Sequence, residues 1–275
     1  EMQRSLVGSE MCIRDSLRLM SYPLLIKEKE VFIMSDMRYA LIPAYNPDDK
    51  LIEITHEHVK YGFNIVVVDD GSDETCNDIF TEIIACADVL HHRTNRGKGA
   101  ALRTGLDYIA QKNSGLADTN GYVVVTLDAD GQHYMNDVLR VTEKSEENRD
   151  ALVLGARGFD NDVPIKSRLG NDITRHVFFF VTGVKVWDTQ TGLRAFSDKH
   201  IDFMRQIDGD RYEYEINVLL EYVGKKIKIM EVPIQTIYLD DNKSSHFNAV
   251  RDSFLIYARI LKHINIRMER RGAGW

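Results

Sequence analysis

The chain has few cysteines, no excess of positive charge and no long apolar run, and each absence excludes a class of protein. Its three cysteines, Cys12, Cys76 and Cys86, are an odd and scattered set that gives neither a disulfide framework nor a C-x-x-C metal site. The formal net charge of −7 argues against a general nucleic-acid binder, whose surface would be basic. We therefore expect a reducing, cytoplasmic compartment and no nucleic acid among the partners.

Two further segment types are missing. The longest strongly apolar stretch, around residues 177–186, falls short of the roughly 20 residues that span a bilayer, so we expect a core helix there. The first thirty-odd residues lack the apolar core of a signal peptide. Their string SLVGSEMCIRDS resembles translated read-through of a sequencing adapter. We therefore expect residues 1–36 to be a non-native or disordered tail, with the natural chain starting near Met34 or Met37.

From residue 38 onward, short apolar runs alternate with amphipathic segments. The runs are YALIPAY, FNIVVVDDGS, ADVLHH, GYVVVTLDADG and ALVLGAR. Helical periodicity lies between them, over residues 48–60, 73–86, 97–111 and 135–147. This alternation is typical of βαβ units and predicts an α/β protein with a buried, mostly parallel sheet.

The second half is less regular. We predict helices over residues 167–182, 212–223 and 249–264, a loop over 185–196 and a strand over 226–234. Because no internal repeat or low-complexity linker interrupts the pattern, we predict one domain over residues 37–265, followed by a basic tail over 266–275.

Polar clusters follow each of the first four predicted strands. They lie at residues 43–46, 69–72, 91–98 and 128–132. Open α/β sheets bind ligands beyond the carboxyl ends of their strands, so all four clusters should meet at one rim. This convergence is stronger evidence for a ligand site than any one motif.

The fourth cluster places Asp128 and Asp130 side by side at the end of a buried strand. Neighbouring carboxylates repel each other unless a cation lies between them, and their hard oxygens suit Mg²⁺ or Mn²⁺. Gln132 could add an amide oxygen. An Asp-rich turn that caps the next helix is the plainer interpretation. Together with the other clusters, the pair favours a metal site.

The remaining clusters suit a nucleotide. Asp70 could accept a hydrogen bond from the imide of uracil or the edge of guanine, and Tyr45 could stack on a base. A strand-end turn and a half-buried aromatic are the alternatives. Arg96 and Lys98 lie at a predicted helix N-terminus, which favours phosphate. The segment is not a Walker P-loop, because Gly99 stands where Ser or Thr is required.

Six motifs together resemble a known family. LIPAYNP, VVVDDGS, NRGKGAALRTGL, TLDADGQH, LGAR and DTQTGLRAF occur in the order and spacing of family 2 glycosyltransferases with a GT-A fold. The dolichyl-phosphate and bacterial polyprenyl-phosphate sugar synthases are the most similar branch, over residues 38–263. The resemblance implies a Rossmann-like, mostly parallel sheet flanked by helices. It also implies a nucleotide-sugar donor (UDP-glucose is favoured), inversion at the anomeric carbon, a divalent metal and a polyprenyl-phosphate acceptor.

The resemblance also assigns roles to matching residues. It implies a nucleoside pocket of Pro43, Tyr45 and Asp70, a metal and diphosphate set of Asp128, Asp130 and Gln132, phosphate-binding cations Arg157 and Arg194, and a sugar and acceptor contact at Gln190. One departure follows VPI, where such synthases carry Arg and then Gly-x-Ser-Lys. Leu239 stands at the arginine's position, so Lys243, Ser244 and Ser245 are the expected substitutes.

The acceptor decides whether a general base is needed. A hydroxyl acceptor would need one, and Glu213 or Glu215 are the candidates, although a salt-bridged helix start explains both equally well. A phosphate acceptor is already an anionic nucleophile. A non-catalytic protein that binds nucleotide sugars is a third hypothesis. The basic amphipathic segment over residues 251–271 suits peripheral contact with the inner face of the cell membrane, or a basic outer face of a packed helix.

Overall fold

A computed structural model of the chain describes residues 37–115, 121–157 and 165–235, with side chains described from residue 174 in the last range. The predicted N-terminal tail, the helix over residues 249–264 and the basic C-terminal tail lie outside the described residues. So do Leu239, Lys243, Ser244 and Ser245.

Seven strands and seven α-helices form the described part of the chain. The strands are β1 (Met37–Ala44), β2 (Phe63–Asp69), β3 (Ala87–His91), β4 (Tyr122–Thr126), β5 (Ala151–Ala156), β6 (Arg194–Ser197) and β7 (Lys228–Pro233). The helices are α1 (Lys50–Lys60), α2 (Asn77–Ile83), α3 (Lys98–Lys112), α4 (Met135–Glu147), α5 (Ile165–Thr182), α6 (Ile201–Met204) and α7 (Glu213–Gly224). Short 3₁₀ turns, Glu74–Cys76 and Asp198–His200, precede α2 and α6.

All strands belong to one sheet, in the order β3-β2-β1-β4-β6-β5-β7. Every pairing is parallel except those of β6, which runs antiparallel to both β4 and β5. The predicted mostly parallel sheet flanked by helices is confirmed. The prediction of a loop throughout residues 185–196 was wrong at its end, because Arg194 already pairs with Thr126 of β4 and Leu154 of β5. A four-residue strand is too short to show a period.

The sheet is buried on both faces. In β1, Tyr39 and Leu41 belong to one apolar cluster, whereas Ala40 and Ile42 belong to the other. This alternation follows from the period-2 geometry of a strand, and helices cover each face. On α3, Gly105 allows a close approach, since a Cβ there would collide with the Leu41 side chain.

The order in which strands are added to the sheet reverses at β1. From β1 the next strands, β2 and β3, extend to one side, whereas β4 lies on the other. Because α/β sheets bind ligands in the crevice at such a switch point, we expect the ligand crevice beyond the carboxyl ends of β1 and β4. None of the helices in the described ranges is long and apolar enough to cross a membrane.

Candidate active site

The two acids predicted to hold a metal emerge where β4 ends. Leu127 is buried and its N–H bonds to the carbonyl of Leu41, so the chain stays attached to β1 until the next residue, Asp128. Gly192 lies directly against the Asp128 carboxylate, where any Cβ would overlap its oxygens. The backbone on both sides thus fixes the position of Asp128 at the crevice.

A lysine bridge, consisting of Asp128, Lys98 and Glu215, crosses this end of the sheet. The Lys98 Nζ lies 2.7 Å from Asp128 Oδ1 and 2.8 Å from Glu215 Oε1. Burial alone would lower the pKa of Lys98, but the two carboxylates outweigh it and raise that pKa above its usual value. Lys98 is therefore cationic and shared by two acids. The sequence predicted a phosphate contact for Lys98; in the structure its ammonium contacts these two carboxylates.

Asp128 and Asp130 have opposite electrostatic environments. Although burial raises the pKa of Asp128, the Lys98 cation outweighs it and the pKa is lowered. Burial and the charge of Asp128 raise the pKa of Asp130 to about 6. Within the described residues, the Asp130 carboxylate accepts one hydrogen bond, 3.1 Å from the backbone N–H of Gln132. Asp130 thus carries a charge that the described protein balances poorly.

A second ion pair joins Arg157, just after β5, to Asp188. Arg157 donates from Nε to Asp188 Oδ2 at 2.7 Å and from a terminal nitrogen to Oδ1 at 3.3 Å. Asp188 is fully buried and also accepts from the N–H of Gln190 at 3.1 Å. Sequence reasoning missed Asp188, although it is the first residue of the DTQTGLRAF motif. Its carboxylate orients both Arg157 and the Gln190 segment.

Arg194 is not at the open rim. It is 3% exposed, and its guanidinium donates to the carbonyls of Thr189, Thr191 and Glu215 at 3.3, 2.9 and 2.8 Å. The predicted phosphate-binding role of Arg194 is therefore corrected: its donors already hold backbone carbonyls. It ties the 189–191 loop to α7.

Asp70 also differs from its predicted role. Its carboxylate accepts from His92 Nδ1 at 2.7 Å and from the N–H groups of Arg96 and Gly97 at 2.9 and 2.7 Å. With the side chain buried and three donors bound, Asp70 shapes the loop before α3 rather than facing a base. Sequence reasoning missed His92, which lies 22 residues from its partner.

The other predicted contacts lie along the same rim. Pro43 and Tyr45 are half-buried at the end of β1, Arg96 is exposed in the loop before α3, and Gln132 and Gln190 are half-buried beside Asp130 and Asp188. The first two clusters meet directly, since Asn46 exchanges side-chain and backbone hydrogen bonds with Ser72 and Asp73. The predicted convergence at one edge of the sheet is therefore confirmed for the described residues.

Neither candidate general base presents an open carboxylate. Glu215 is held by Lys98. Glu213 accepts from the N–H of Asp210 at 3.1 Å, and its other oxygen is buried with no hydrogen-bond partner in the described ranges. Both predicted roles lose support, because a base must reach the proton it removes.

His133, which follows Gln132, is a half-buried residue with buried ring nitrogens that sequence reasoning missed. Neither ring nitrogen has a hydrogen-bond partner among the described residues, and burial lowers its pKa to about 4. The imidazole is therefore neutral near neutral pH. Its only sequence signal is its place directly after the acid pair.

Comparison with known proteins agrees with this architecture. The family model described as glycosyl transferase family 2 matches residues 39–203. UDP-N-acetylglucosamine–dolichyl-phosphate N-acetylglucosaminyltransferase of Methanococcus voltae is 30% identical, covering 81% of this chain and 94% of the relative. Dolichyl-phosphate beta-glucosyltransferase of Saccharomyces cerevisiae is 24% identical, covering 78% of this chain and 70% of the relative.

A solved structure supports the fold. Glucosyl-3-phosphoglycerate synthase from Mycobacterium tuberculosis, in complex with Mn²⁺, UDP and phosphoglyceric acid, superposes with a TM-score of 0.61 at 16% identity. The match covers 83% of this chain and 78% of that one. Together with the family match, this assigns a GT-A fold, and the chain belongs to glycosyltransferase family 2.

Proposed function

We propose that this glycosyltransferase moves a sugar from a UDP-sugar to a polyprenyl or dolichyl phosphate, with inversion at the anomeric carbon. The observation that carries the proposal is the acid pair at the β1–β4 crevice, in which Lys98 balances Asp128 while Asp130 keeps a raised pKa. The names of the Methanococcus and Saccharomyces relatives support a dolichyl-phosphate acceptor. Such an acceptor would bring the protein to the inner face of the cell membrane.

The acid pair fits Mg²⁺ or Mn²⁺. Within the described ranges no group of three or more His, Cys, Asp or Glu could hold a metal alone. Two carboxylates completed by substrate phosphates are, however, a usual Mg²⁺ arrangement. We propose Asp128 and Asp130 as ligands, with the Gln132 amide. A cation there would neutralise the charge that gathers on the departing nucleoside diphosphate.

The basic residues around the crevice suit a reaction between two anions. A phosphate acceptor needs no general base, which agrees with the engaged carboxylates of Glu213 and Glu215. It does need cations, because the acceptor phosphate and the donor diphosphate repel each other. We propose that Arg157, oriented by Asp188, and Lys98 meet this need at the rim.

The remaining predicted contacts keep their proposed roles. Pro43 and Tyr45 would line the nucleoside, Arg96 would contact phosphate and Gln190 the sugar or acceptor. Lys243, Ser244 and Ser245 are proposed for the acceptor phosphate. The donor sugar stays a choice between UDP-glucose, which the sequence favours, and UDP-N-acetylglucosamine, the donor in the name of the Methanococcus relative.

A direct assay tests the function. The full chain would be incubated with Mg²⁺ or Mn²⁺, a short-chain polyprenyl phosphate and UDP-glucose or UDP-N-acetylglucosamine, and glycolipid would be measured by mass spectrometry. We expect a sugar–phosphate–lipid with one of the two donors and none with the matching polyprenol. A product only with the polyprenol would favour transfer to a hydroxyl. If no glycolipid forms with any common UDP- or GDP-sugar, the proposal is rejected.

A further inference from the structure

The end of α5 and the loop after it expose three large aromatic side chains. Phe179, Phe180 and Trp187 are 51%, 87% and 39% exposed and form what we call the aromatic patch. The other exposed large hydrophobics of the described chain, Val59, Tyr61, Ile84 and Tyr134, are scattered over other elements. Clustered exposed apolar groups commonly mark an interaction surface, whereas single ones need no explanation.

The last turn of α5 is packed against the core on one face, which directs the two phenylalanines of the patch toward solvent. Phe178 and Val181 are buried in the core on the opposite face of the same turn. The Thr182 hydroxyl donates to the Phe178 carbonyl at 2.7 Å, and Gly183 ends the helix with a φ of 75°. Because the inward residues anchor this turn, Phe179 and Phe180 face solvent through the helix geometry rather than through local unfolding.

Two cations lie over the Trp187 ring of the patch, although the chain as a whole is acidic. The Lys185 Nζ lies 3.9 Å from the centroid of the Trp187 ring, and the Arg175 guanidinium carbon lies 5.2 Å from it. The acids beneath the patch are engaged: Glu231 accepts from the Trp187 backbone N–H at 2.7 Å, and Asp188 holds Arg157. Among the described residues, the side chains exposed here are therefore aromatic and positive.

We propose that the aromatic patch inserts into the interfacial layer of an anionic lipid bilayer, with Lys185 and Arg175 contacting the headgroups. Aromatic rings favour the bilayer interface, and cations near it are attracted to anionic lipid. The patch also adjoins the site, because Trp187 directly precedes the residue that orients Arg157. The proposal deepens the proposed function, since it would place the crevice beside a membrane-embedded acceptor.

Vesicle binding tests the proposal without any substrate. The full chain would be sedimented with vesicles of phosphatidylcholine alone and with vesicles containing about 30% phosphatidylglycerol. We expect at least tenfold stronger partitioning onto the anionic vesicles. The double variant Phe179→Ser/Phe180→Ser should lose at least tenfold of that partitioning, and Lys185→Glu should weaken it and reduce its salt dependence.

The matched control is Tyr61→Ser/Ile84→Ser, which removes two exposed apolar side chains elsewhere and should partition like the unchanged protein. Thermal melting verifies that each variant folds. Equal partitioning of the Phe179→Ser/Phe180→Ser and control variants would overturn the proposal, as would no binding to either vesicle. If the patch is instead an interface between two copies of the chain, light scattering should show a dimer for the unchanged protein and a monomer for the Phe179→Ser/Phe180→Ser variant. This result too would overturn the proposal. The two proposals can fail separately. If glycolipid forms but the Phe179→Ser/Phe180→Ser variant partitions like the control, only this proposal is rejected. If partitioning is as expected but no glycolipid forms, only the proposed function is rejected.

Discussion

Two pairs of acids lie at the carboxyl ends of two strands of the same sheet, yet their contacts with the protein differ. At the end of β2, Asp70 accepts three hydrogen bonds, and Asp69 accepts from the Ser72 N–H at 2.8 Å and bonds to His91 at 2.9 Å. After β4, Asp128 has Lys98, whereas the Asp130 carboxylate receives one backbone N–H within the described residues.

This difference indicates which acids stabilise the fold and which are available to bind a ligand. A buried carboxylate with several hydrogen-bond donors has its charge balanced by the protein. The charge of Asp130 is not balanced in this way, because burial and the charge of Asp128 raise its pKa to about 6. A raised pKa in a crevice is typical of a functional group. The first pair builds the rim, and we propose that the second is left for a ligand.

The largest expected effect is the loss of activity in Asp130→Asn. If this acid acts through its charge at the departing diphosphate, kcat should fall by roughly 10²–10³-fold, as when another electrostatic stabiliser is removed. Glycolipid formation under saturating donor measures the effect. Asp88→Asn is the matched control, since this acid lies on β3 away from the crevice and pairs with Lys112 at the end of α3. Equal activities for the two variants would contradict the distinction between the acid pairs.

Asp70→Asn should instead damage stability. Its amide cannot accept from all of His92, Arg96 and Gly97, and a buried donor without a partner is costly. We expect the free energy of unfolding to fall by about 3 kcal/mol. Urea denaturation followed by circular dichroism measures this change. A loss below about 0.5 kcal/mol would show that Asp70 does not hold the loop.

The pH dependence of Asp130→Asn provides a third test, in metal-free buffer. Because the folded pKa of about 6 lies above the ordinary 3.8, folding binds protons between these values, and the wild-type free energy of unfolding falls as pH rises from about 4 to 6. The variant lacks this loss and should be more stable at pH 7.5 by about 2 kcal/mol, after allowing for partial exposure. Near pH 4 the difference should shrink. A pH-independent difference would contradict the raised pKa.

The smallest effect is expected for His91→Ala. The His91 side chain is 53% exposed, and Asp69 keeps the N–H of Ser72 when the imidazole is removed. We expect a stability change below about 1 kcal/mol, because the His91 side chain is largely exposed, and unchanged activity. Thermal melting and the glycolipid assay measure both. A large loss of activity would move the first acid pair into the active site.

The fold could largely be predicted from the sequence, because its parallel strands are apolar runs with clear helices between them. Helix α4 was predicted with the bounds that the structure has, Met135–Glu147. The short antiparallel β6 could not be predicted, since four residues give no period and its partners, β4 and β5, are distant in sequence.

The site was predicted less completely, for the same reason of distance along the chain. The acid pair after β4 is local and could be recognised. The roles of Asp70 and Arg194 depend on donors and carbonyls that only the folded loops bring near, and Asp188 is identified as the partner of Arg157 only by a contact 31 residues apart. Type and spacing of residues indicate that a rim binds a ligand. They do not tell which acids the protein itself has already neutralised.

The most direct test of the central claim is Mn²⁺ binding in the presence of UDP, followed by electron paramagnetic resonance. Wild type and Asp88→Asn should bind Mn²⁺ equally, whereas Asp128→Asn and Asp130→Asn should bind it at least tenfold more weakly. Unchanged Mn²⁺ affinity in both crevice variants would mean that the acids after β4 are not kept for a metal–nucleotide ligand.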